Sequence, residues 1–379
     1  MFLSADRETL RWIQKTLSRA RRSGNWAALF AREACWTPEI FAGLVDEHDR
    51  LQLEGHNDLA AEIAGRLPQL AERIRPNLCP GEEQGKRSLE SWALAIFGSG
   101  LRATGRSAEA TVAFVEAFER AKKGTFGWAR GEVERRFAVH LLHQNDRRAF
   151  ERVERAIGLF ADHPDQLAEC FNLRGVCRAL FDDDASGAIQ DFGIAASISD
   201  PSRSERSGWA FQAALQNLAF QLVKGGPCTL ESLSQGRKLL LASRSFLGKG
   251  MDVRKVRSLW VEGLLVYRIG WNRHGERLLE RARQLFLKLG RSEEYAIATL
   301  DLAVMLVGDG EDARAAELLR TLRPGESAAI PGIRPNLDLE GVQETRRRLV
   351  ESLSRPAPLV DGRLPHKAAR RLDAEPEIA

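Results

Sequence analysis

Two histidines, His140 and His143, stand three residues apart in a stretch whose apolar spacing predicts a helix, so they share one helix face. Imidazole pairs at such a spacing bind transition metals when a third ligand is near, and the carboxylate of Asp146 is the nearest candidate. The alternative is that His140 is a buried core residue, and the apolar residues around it favour this interpretation.

The acidic turn of residues 182–184 is a second candidate, for a cation, but it precedes a predicted helix whose free amides and dipole attract carboxylates. We therefore favour helix capping. Cys170 and Cys177 lie seven residues apart, on one helix face, which favours a buried thiol pair in a reducing compartment. No phosphate-binding loop, nucleophile elbow or HExxH motif occurs. The sequence predicts a protein that is not an enzyme and that needs neither metal nor cofactor.

The composition is that of a soluble globular protein. Of 379 residues, 44% are hydrophobic and 28% charged, with a formal net charge of +4. This mild positive charge does not by itself imply a nucleic-acid partner. The first residues, "MFLSADRETLRW", include an acid and no apolar core of a signal peptide, and no apolar run reaches the ~18 residues of a membrane span. The predicted location is the cytoplasm.

One pattern recurs along the chain: a small residue, a large one four positions later and another three positions after that. Its first residues are separated by steps of 39, 39, 48, 39 and 40. About twelve residues before each occurrence, a second helix with a small central residue is predicted, and polar turns join the two. Each unit therefore reads as helix, turn, helix. The pattern begins at these positions: Ala110, Ala149, Ala188, Gly236, Gly275 and Ala315.

These residues carry a resemblance to the tetratricopeptide repeat, a family of stacked helical hairpins. The first unit matches best, with Gly98, Leu101, Ala110, Phe114 and Ala117 in the family's spacing. The period near 39 is longer than the family's 34. The resemblance implies an all-α fold, a right-handed superhelical solenoid of helix-turn-helix repeats that binds a protein or peptide on its concave face. It implies no enzymatic activity.

Three regions are predicted from the spacing. Residues 1–75 form an N-terminal helical cap, 88–323 a repeat array of about six units, and 324–379 a C-terminal helix followed by a disordered tail. Within the last region, the segment 337–354 reads as one more helix.

In the resembling family, ligand-facing side chains lie on the first helix of each unit. Carried over by register, these positions predict a basic, aromatic surface that suits an acidic peptide or an acidic face of a partner. The alternative is that the aromatic residues are core and the cations merely solvated. The predicted partner-binding residues are Trp92, Arg102, Gln216, Lys224, Arg257, Trp260, Tyr267 and Arg268.

The resemblance implies a cytoplasmic interaction module that acts as adaptor, scaffold, inhibitor or regulator. Similar repeats serve bacterial signalling, stress response and defence, which makes a protease or a transcription-machinery component an expected partner. The alternative is a nucleic-acid-binding or ligand-sensing transcription regulator. Acidic residues interleaved with the arginines make nucleic acid the less favoured partner.

Overall fold

The computed structural model describes residues 7–23, 36–122, 124–224, 229–245 and 252–322, and within these ranges it contains helices and no strand. The all-α prediction is confirmed for this part of the chain. A short 3-10 turn, Pro76–Leu78, precedes the fourth helix, and a π-helical turn, Arg178–Asp182, follows the eighth. The helices are α1 (Arg7–Ser23), α2 (Pro38–Leu53), α3 (Asn57–Arg73), α4 (Glu83–Ala103), α5 (Ser107–Ala121), α6 (Gly127–His143), α7 (Arg148–Leu159), α8 (Pro164–Cys177), α9 (Ala185–Ile198), α10 (Glu205–Lys224), α11 (Leu230–Arg244), α12 (Val253–Arg268), α13 (Asn272–Lys288), α14 (Ser292–Gly308) and α15 (Asp312–Arg320).

From α4 onward the described helices form pairs, and each pair packs against the next along the chain. We call α4, α6, α8, α10, α12 and α14 the first helices and their partners α5, α7, α9, α11, α13 and α15 the second helices. Helices α2 and α3 also pack on each other, and α3 contacts α4 directly. The predicted helix 337–354 and the predicted tail lie outside the described residues.

Small residues lie where the two helices of a pair approach most closely. A Cβ atom added to Gly98 in α4 would lie 3.0 Å from the ring of Phe114 in α5. Ala110 and Ala117, which flank Phe114 on the same face, are fully buried. Small side chains allow the axes to reach the close end of the usual 8–10 Å range, and the large residue between them fills the remaining space. The recurrent pattern therefore encodes packing.

Side-chain caps begin several of the helices. The Asp184 carboxylate accepts a hydrogen bond of 2.8 Å from the amide of Gly187 at the start of α9, which confirms the capping interpretation of the acidic turn. Thr229 and Ser232 cap α11 reciprocally, and Asp252 accepts from the amide of Lys255 in α12. Each cap satisfies amides that the helix itself leaves free.

Two turns that are distant in sequence touch each other. Gly55, which follows α2, has a φ of +81°, and a Cβ atom there would lie 2.9 Å from the carbonyl oxygen of Leu289, which follows α13. The contact brings the N-terminal helices against the end of the fifth pair. No helix in the described ranges is long and apolar enough to cross a membrane.

Candidate partner-binding surface

Several of the predicted partner-binding residues are buried in the core. Trp92 is 1% exposed, with its ring centroid 5.4 Å from that of Phe41 and 5.3 Å from that of Trp128. These three rings join α2, α4 and α6. The expectation that Trp92 faces outward is wrong, because the neighbouring helices enclose its ring.

Tyr267 and Arg268 near the end of α12 are also buried, 0% and 2% exposed respectively. The Tyr267 hydroxyl donates a hydrogen bond of 3.0 Å to the carbonyl oxygen of Met305 in α14. Their predicted surface position is therefore wrong as well, and the reason is that α14 covers this end of α12.

Gln216 bridges two first helices. Its amide nitrogen in α10 donates to the carbonyl oxygen of Arg254 at 2.9 Å and to the Ser258 hydroxyl at 2.6 Å, both in α12. Gln216 is only 5% exposed, so the prediction that it lies at the surface is wrong. Arg102 is half-buried at the end of α4, and the side chain of Lys224 lies outside the described part of the structure.

Arg257 and Trp260 are the two predicted residues in α12 that reach solvent. The Arg257 side chain is 46% exposed, and Trp260 is partly exposed. The Trp260 ring lies 5.8 Å from that of Phe220 in α10, and its indole nitrogen donates to Asp301 in α14 at 2.9 Å. Whether these residues bind a partner stays a prediction.

Around these two residues the structure adds members that the sequence prediction did not assign. The Arg254 guanidinium lies 5.5 Å from the centre of the partly exposed Trp209 ring in α10. Trp209 and Phe220 stand eleven residues apart, three helical turns along one face of α10. We define the aromatic–arginine strip as these residues of α10 and α12: Trp209, Phe220, Arg254, Arg257 and Trp260.

A helix-periodic spacing in α10 would have indicated this face. Partly exposed residues recur there at steps of three or four: Arg206, Trp209, Ala213, Asn217 and Phe220. The prediction used only the helix positions that face a ligand in the resembling family. Trp209 is not at one of these positions and was therefore not predicted.

The arginines of the strip form ion pairs with carboxylates. Glu294 in α14 is 10% exposed at its side chain and binds Arg257 at 2.8 Å and Arg291 at 2.6 Å. Burial alone would raise the pKa of Glu294, but the two guanidinium groups hold it well below its usual range. Arg254 likewise pairs with Asp252 at 2.6 Å, so each arginine of the strip has a carboxylate partner.

A second polar region lies further toward the N-terminus. Glu132 in α6 accepts from Arg135 at 2.7 Å, from Arg206 of α10 at 2.8 Å and from Arg136 at 3.3 Å. Arg136 also binds the Asp49 carboxylate of α2 through two nitrogens, at 2.6 and 3.1 Å. We define the inner charge network as the following residues: Asp46, Asp49, Glu132, Arg135, Arg136, Glu169 and Arg206.

Within the network, ion pairing outweighs the cost of burying the carboxylates. Burial alone would raise their pKa values, but Arg135 and the other arginines lower the pKa of Glu132 to about 2. Arg136 and His48 likewise hold the pKa of Asp49 well below its usual range. Asp46 differs: its side chain is exposed and has no ion-pair partner within the described ranges. Neighbouring side chains nevertheless displace part of the water around its carboxylate, and this partial desolvation, together with the nearby Asp49, raises its pKa to about 6.

The histidine pair supports the core interpretation. His140 is fully buried, its Nε2 lies 2.8 Å from the Thr111 hydroxyl, and its ring packs 5.1 Å from that of Phe114. Burial and the nearby Arg102 lower the pKa of His140 to about 4, so its imidazole is neutral at pH 7. Asp146 instead binds Arg148. No cluster of three or more metal-ligating side chains occurs among the residues that the structure describes.

The cysteine prediction also fits the described structure, since Cys170 and Cys177 are both buried free thiols.

Comparison with known proteins does not extend these observations. No protein-family model matches the chain, and no curated protein matches it.

Proposed function

We propose that this chain is a non-enzymatic protein–protein interaction module, built as a superhelical solenoid of tetratricopeptide-like hairpins, that binds an acidic partner segment. It acts as an adaptor, inhibitor or regulatory subunit. The aromatic–arginine strip on α10 and α12 is the binding surface.

The solenoid arrangement is supported by contacts that skip a helix pair. Asp49 in α2 reaches Arg136 in α6, although α4 packs against both helices, and Arg206 in α10 reaches Glu132 in α6 past α8. These side chains belong to helix pairs that are separated by one intervening pair. They can meet only if the row of first helices is curved and these residues lie on its concave side. The contact between Gly55 and Leu289 is what successive turns of such a superhelix would make.

The observation that carries the binding proposal is the strip itself: partly exposed aromatic rings with arginines beside them on neighbouring first helices. Along α10 the strip runs about 16 Å, from Trp209 to Phe220. This length accommodates about five residues of an extended chain. Aromatic and arginine side chains are the types most often found at the energetic centre of protein interfaces.

The chemistry of the strip selects the partner. Among the described residues, the Arg257 guanidinium group binds the Glu294 carboxylate through one nitrogen. A guanidinium group carries five donor hydrogens, so donors remain for a partner's carboxylate. The rings of Trp209 and Trp260 offer apolar contact area beside those donors. We therefore expect a segment in which acidic residues alternate with apolar ones.

The test begins with the full chain, purified from its native host with its co-purifying proteins identified by mass spectrometry. Fluorescently labelled peptides tiled across the enriched protein are then titrated against wild type, Trp209→Ala and Arg257→Ala. Each substitution should weaken binding of the recognised peptide by about tenfold or more, the usual loss at an interface hot spot. Melting should change little for Arg257→Ala, because the Arg257 side chain is 46% exposed.

Leu241→Ser in α11 is the matched control, because Leu241 is 52% exposed and lies on a second helix, outside the strip. It should bind the peptide like wild type. Equal affinities for all three variants would remove the strip as the binding surface. Tight binding of DNA or RNA with a steep salt dependence would instead favour the nucleic-acid alternative.

A further inference from the structure

The last described helix pair, α14 and α15, exposes an apolar side chain. The residues at the same repeat position in the five preceding pairs are buried. Leu319 in α15 is 41% exposed. Its equivalents in the repeat register are between 0% and 3% exposed. They are Phe114, Val153, Phe192, Leu240 and Leu279.

A second position in the same pair departs in the same way. Val307 in α14 is 42% exposed, whereas Tyr267, forty residues earlier at the equivalent place in α12, is 0% exposed. Tyr267 is covered by the first helix of the following pair, through its hydrogen bond to Met305.

The following first helix also covers the position equivalent to Leu319. In the first pair, the Phe114 ring stacks on Phe137 of α6, with centroids 5.4 Å apart. Leu319 therefore occupies a position that all five preceding pairs bury, and Val307 one that the two immediately preceding pairs bury, at Val223 and Tyr267. Within the described ranges nothing buries Val307 or Leu319 in this way. The face formed by α14 and α15 lacks its neighbour.

The period of the chain indicates which segment fits there. The small central residues Gly263 and Ala303 of the last two first helices are forty residues apart, so the next centre is expected near residue 343. Segment 337–354 contains that position. Four of its apolar residues recur at helical spacing and share one face: Leu339, Val342, Leu349 and Leu353.

We propose that residues 337–354 of the same chain bind as a helix to the open face of α14 and α15 and cover Val307 and Leu319. The exposed face is then an intramolecular docking surface and is closed in the full chain. An array of stacked helices needs such a terminal element to shield its last apolar face from water. The proposal rests on the repeat register and is independent of the partner that the strip binds.

Trypsin tests the docking in the full-length chain, because three adjacent arginines, residues 346–348, lie in the middle of the segment. Docking should protect these bonds. Leu319→Lys should speed cleavage there by about tenfold or more, the factor expected when one buried leucine side chain is lost from a docking contact. Cleavage sites are identified by mass spectrometry, and circular dichroism checks that the helices remain.

Leu287→Lys is the matched control, since Leu287 in α13 is 53% exposed and lies outside the open face. Its cleavage at residues 346–348 should follow wild type. Equal cleavage of wild type and Leu319→Lys would overturn the proposal.

Disulfide formation gives an independent measurement that identifies the occupant. In a background with Cys35 and Cys228 replaced by serine, Leu319→Cys is combined in turn with cysteine at Leu339, Val342, Leu349 or Leu353 and oxidised with copper phenanthroline. At least one pair should form an intrachain disulfide. The same pairing with Glu344→Cys, on the opposite face of the predicted helix, should not.

Two results would overturn the proposal in this experiment. An interchain disulfide between two Leu319→Cys chains, without intrachain products, would mean that a second copy covers the face. Absence of any disulfide at the four positions would mean that the segment does not reach Leu319.

Discussion

The inner charge network and the aromatic–arginine strip both contain several arginines, but the arginines are used differently. In the network, Glu132 alone receives three guanidinium groups, and the Arg136 side chain is 7% exposed. In the strip, the Arg257 side chain is 46% exposed and pairs with one carboxylate. An arginine enclosed by carboxylates holds helices together, and one that is partly solvated beside aromatic rings remains available to a partner.

Helix α10 contributes to both regions within one turn. Arg206 joins the network, and Trp209, three residues later, belongs to the strip. The boundary between a stabilising region and a candidate binding region therefore runs across a single helix. Substitutions on the two sides of this boundary should separate loss of stability from loss of binding.

The largest effect should come from Arg136→Met, which removes the link between α2 and α6. It removes the two hydrogen bonds from Arg136 to Asp49, which keeps His48 at 2.8 Å. It also removes one of the guanidinium groups around the fully buried Glu132. Removing one partner of a buried pair typically costs about 3–5 kcal/mol. Urea denaturation followed by circular dichroism measures the free energy of unfolding.

Arg155→Met provides the comparison for this substitution. Arg155 and Glu151 in α7 form an exposed pair at 3.5 Å, so the expected loss is within about 1 kcal/mol. If Arg136→Met cost no more than Arg155→Met, the network would not be the stabilising region that its contacts indicate.

The sequence predicts the helix pairs well, because their packing depends on local spacing. Ala110, Phe114 and Ala117 carry that spacing, and all three are buried where it requires. The ion pairs were not predictable in this way: Asp49 and Arg136 are 87 residues apart and Arg206 and Glu132 are 74. Their meeting depends on curvature accumulated over several pairs, which no local pattern records.

The same limit explains the misplaced surface residues. Trp92 and Tyr267 occupy positions that face a ligand in the resembling family, but here a neighbouring helix lies over each of them. The register identifies the helix on which a residue lies. How deeply the next helix covers it depends on the axial distance and curvature of that junction.

An intermediate effect is expected at Asp46, the one carboxylate of the network without an ion-pair partner in the described structure. Its pKa of about 6 in the folded chain exceeds the ordinary value of 3.8, so the folded state binds a proton more readily than the unfolded state. The charged form of Asp46 therefore lowers the free energy of unfolding. This loss is complete above about pH 6 and absent below about pH 4. Because the side chain is exposed, solvent screening limits this cost to about 1 kcal/mol.

Asp46→Asn should accordingly raise the free energy of unfolding by up to about 1 kcal/mol at pH 7 and leave it unchanged at pH 3.5. Urea titrations of both proteins at a series of pH values measure this difference. Glu109→Gln in α5 is a suitable control, because Glu109 is an exposed carboxylate outside the network. A stabilisation by Asp46→Asn that did not diminish on acidification would mean that partial desolvation and charge repulsion at Asp46 are not its cause.

The smallest effect on stability should be that of Arg257→Met in the strip. The Arg257 side chain is nearly half exposed, and Glu294 keeps its second partner, Arg291, at 2.6 Å. The loss should therefore stay below about 1 kcal/mol, in the range of a surface ion pair. Urea denaturation of Arg257→Met and Arg136→Met under the same conditions allows their free energies of unfolding to be compared directly. A loss at Arg257 as large as that at Arg136 would mean that the strip, like the network, holds helices together, and its arginines would no longer be distinguished as the ones available to a partner.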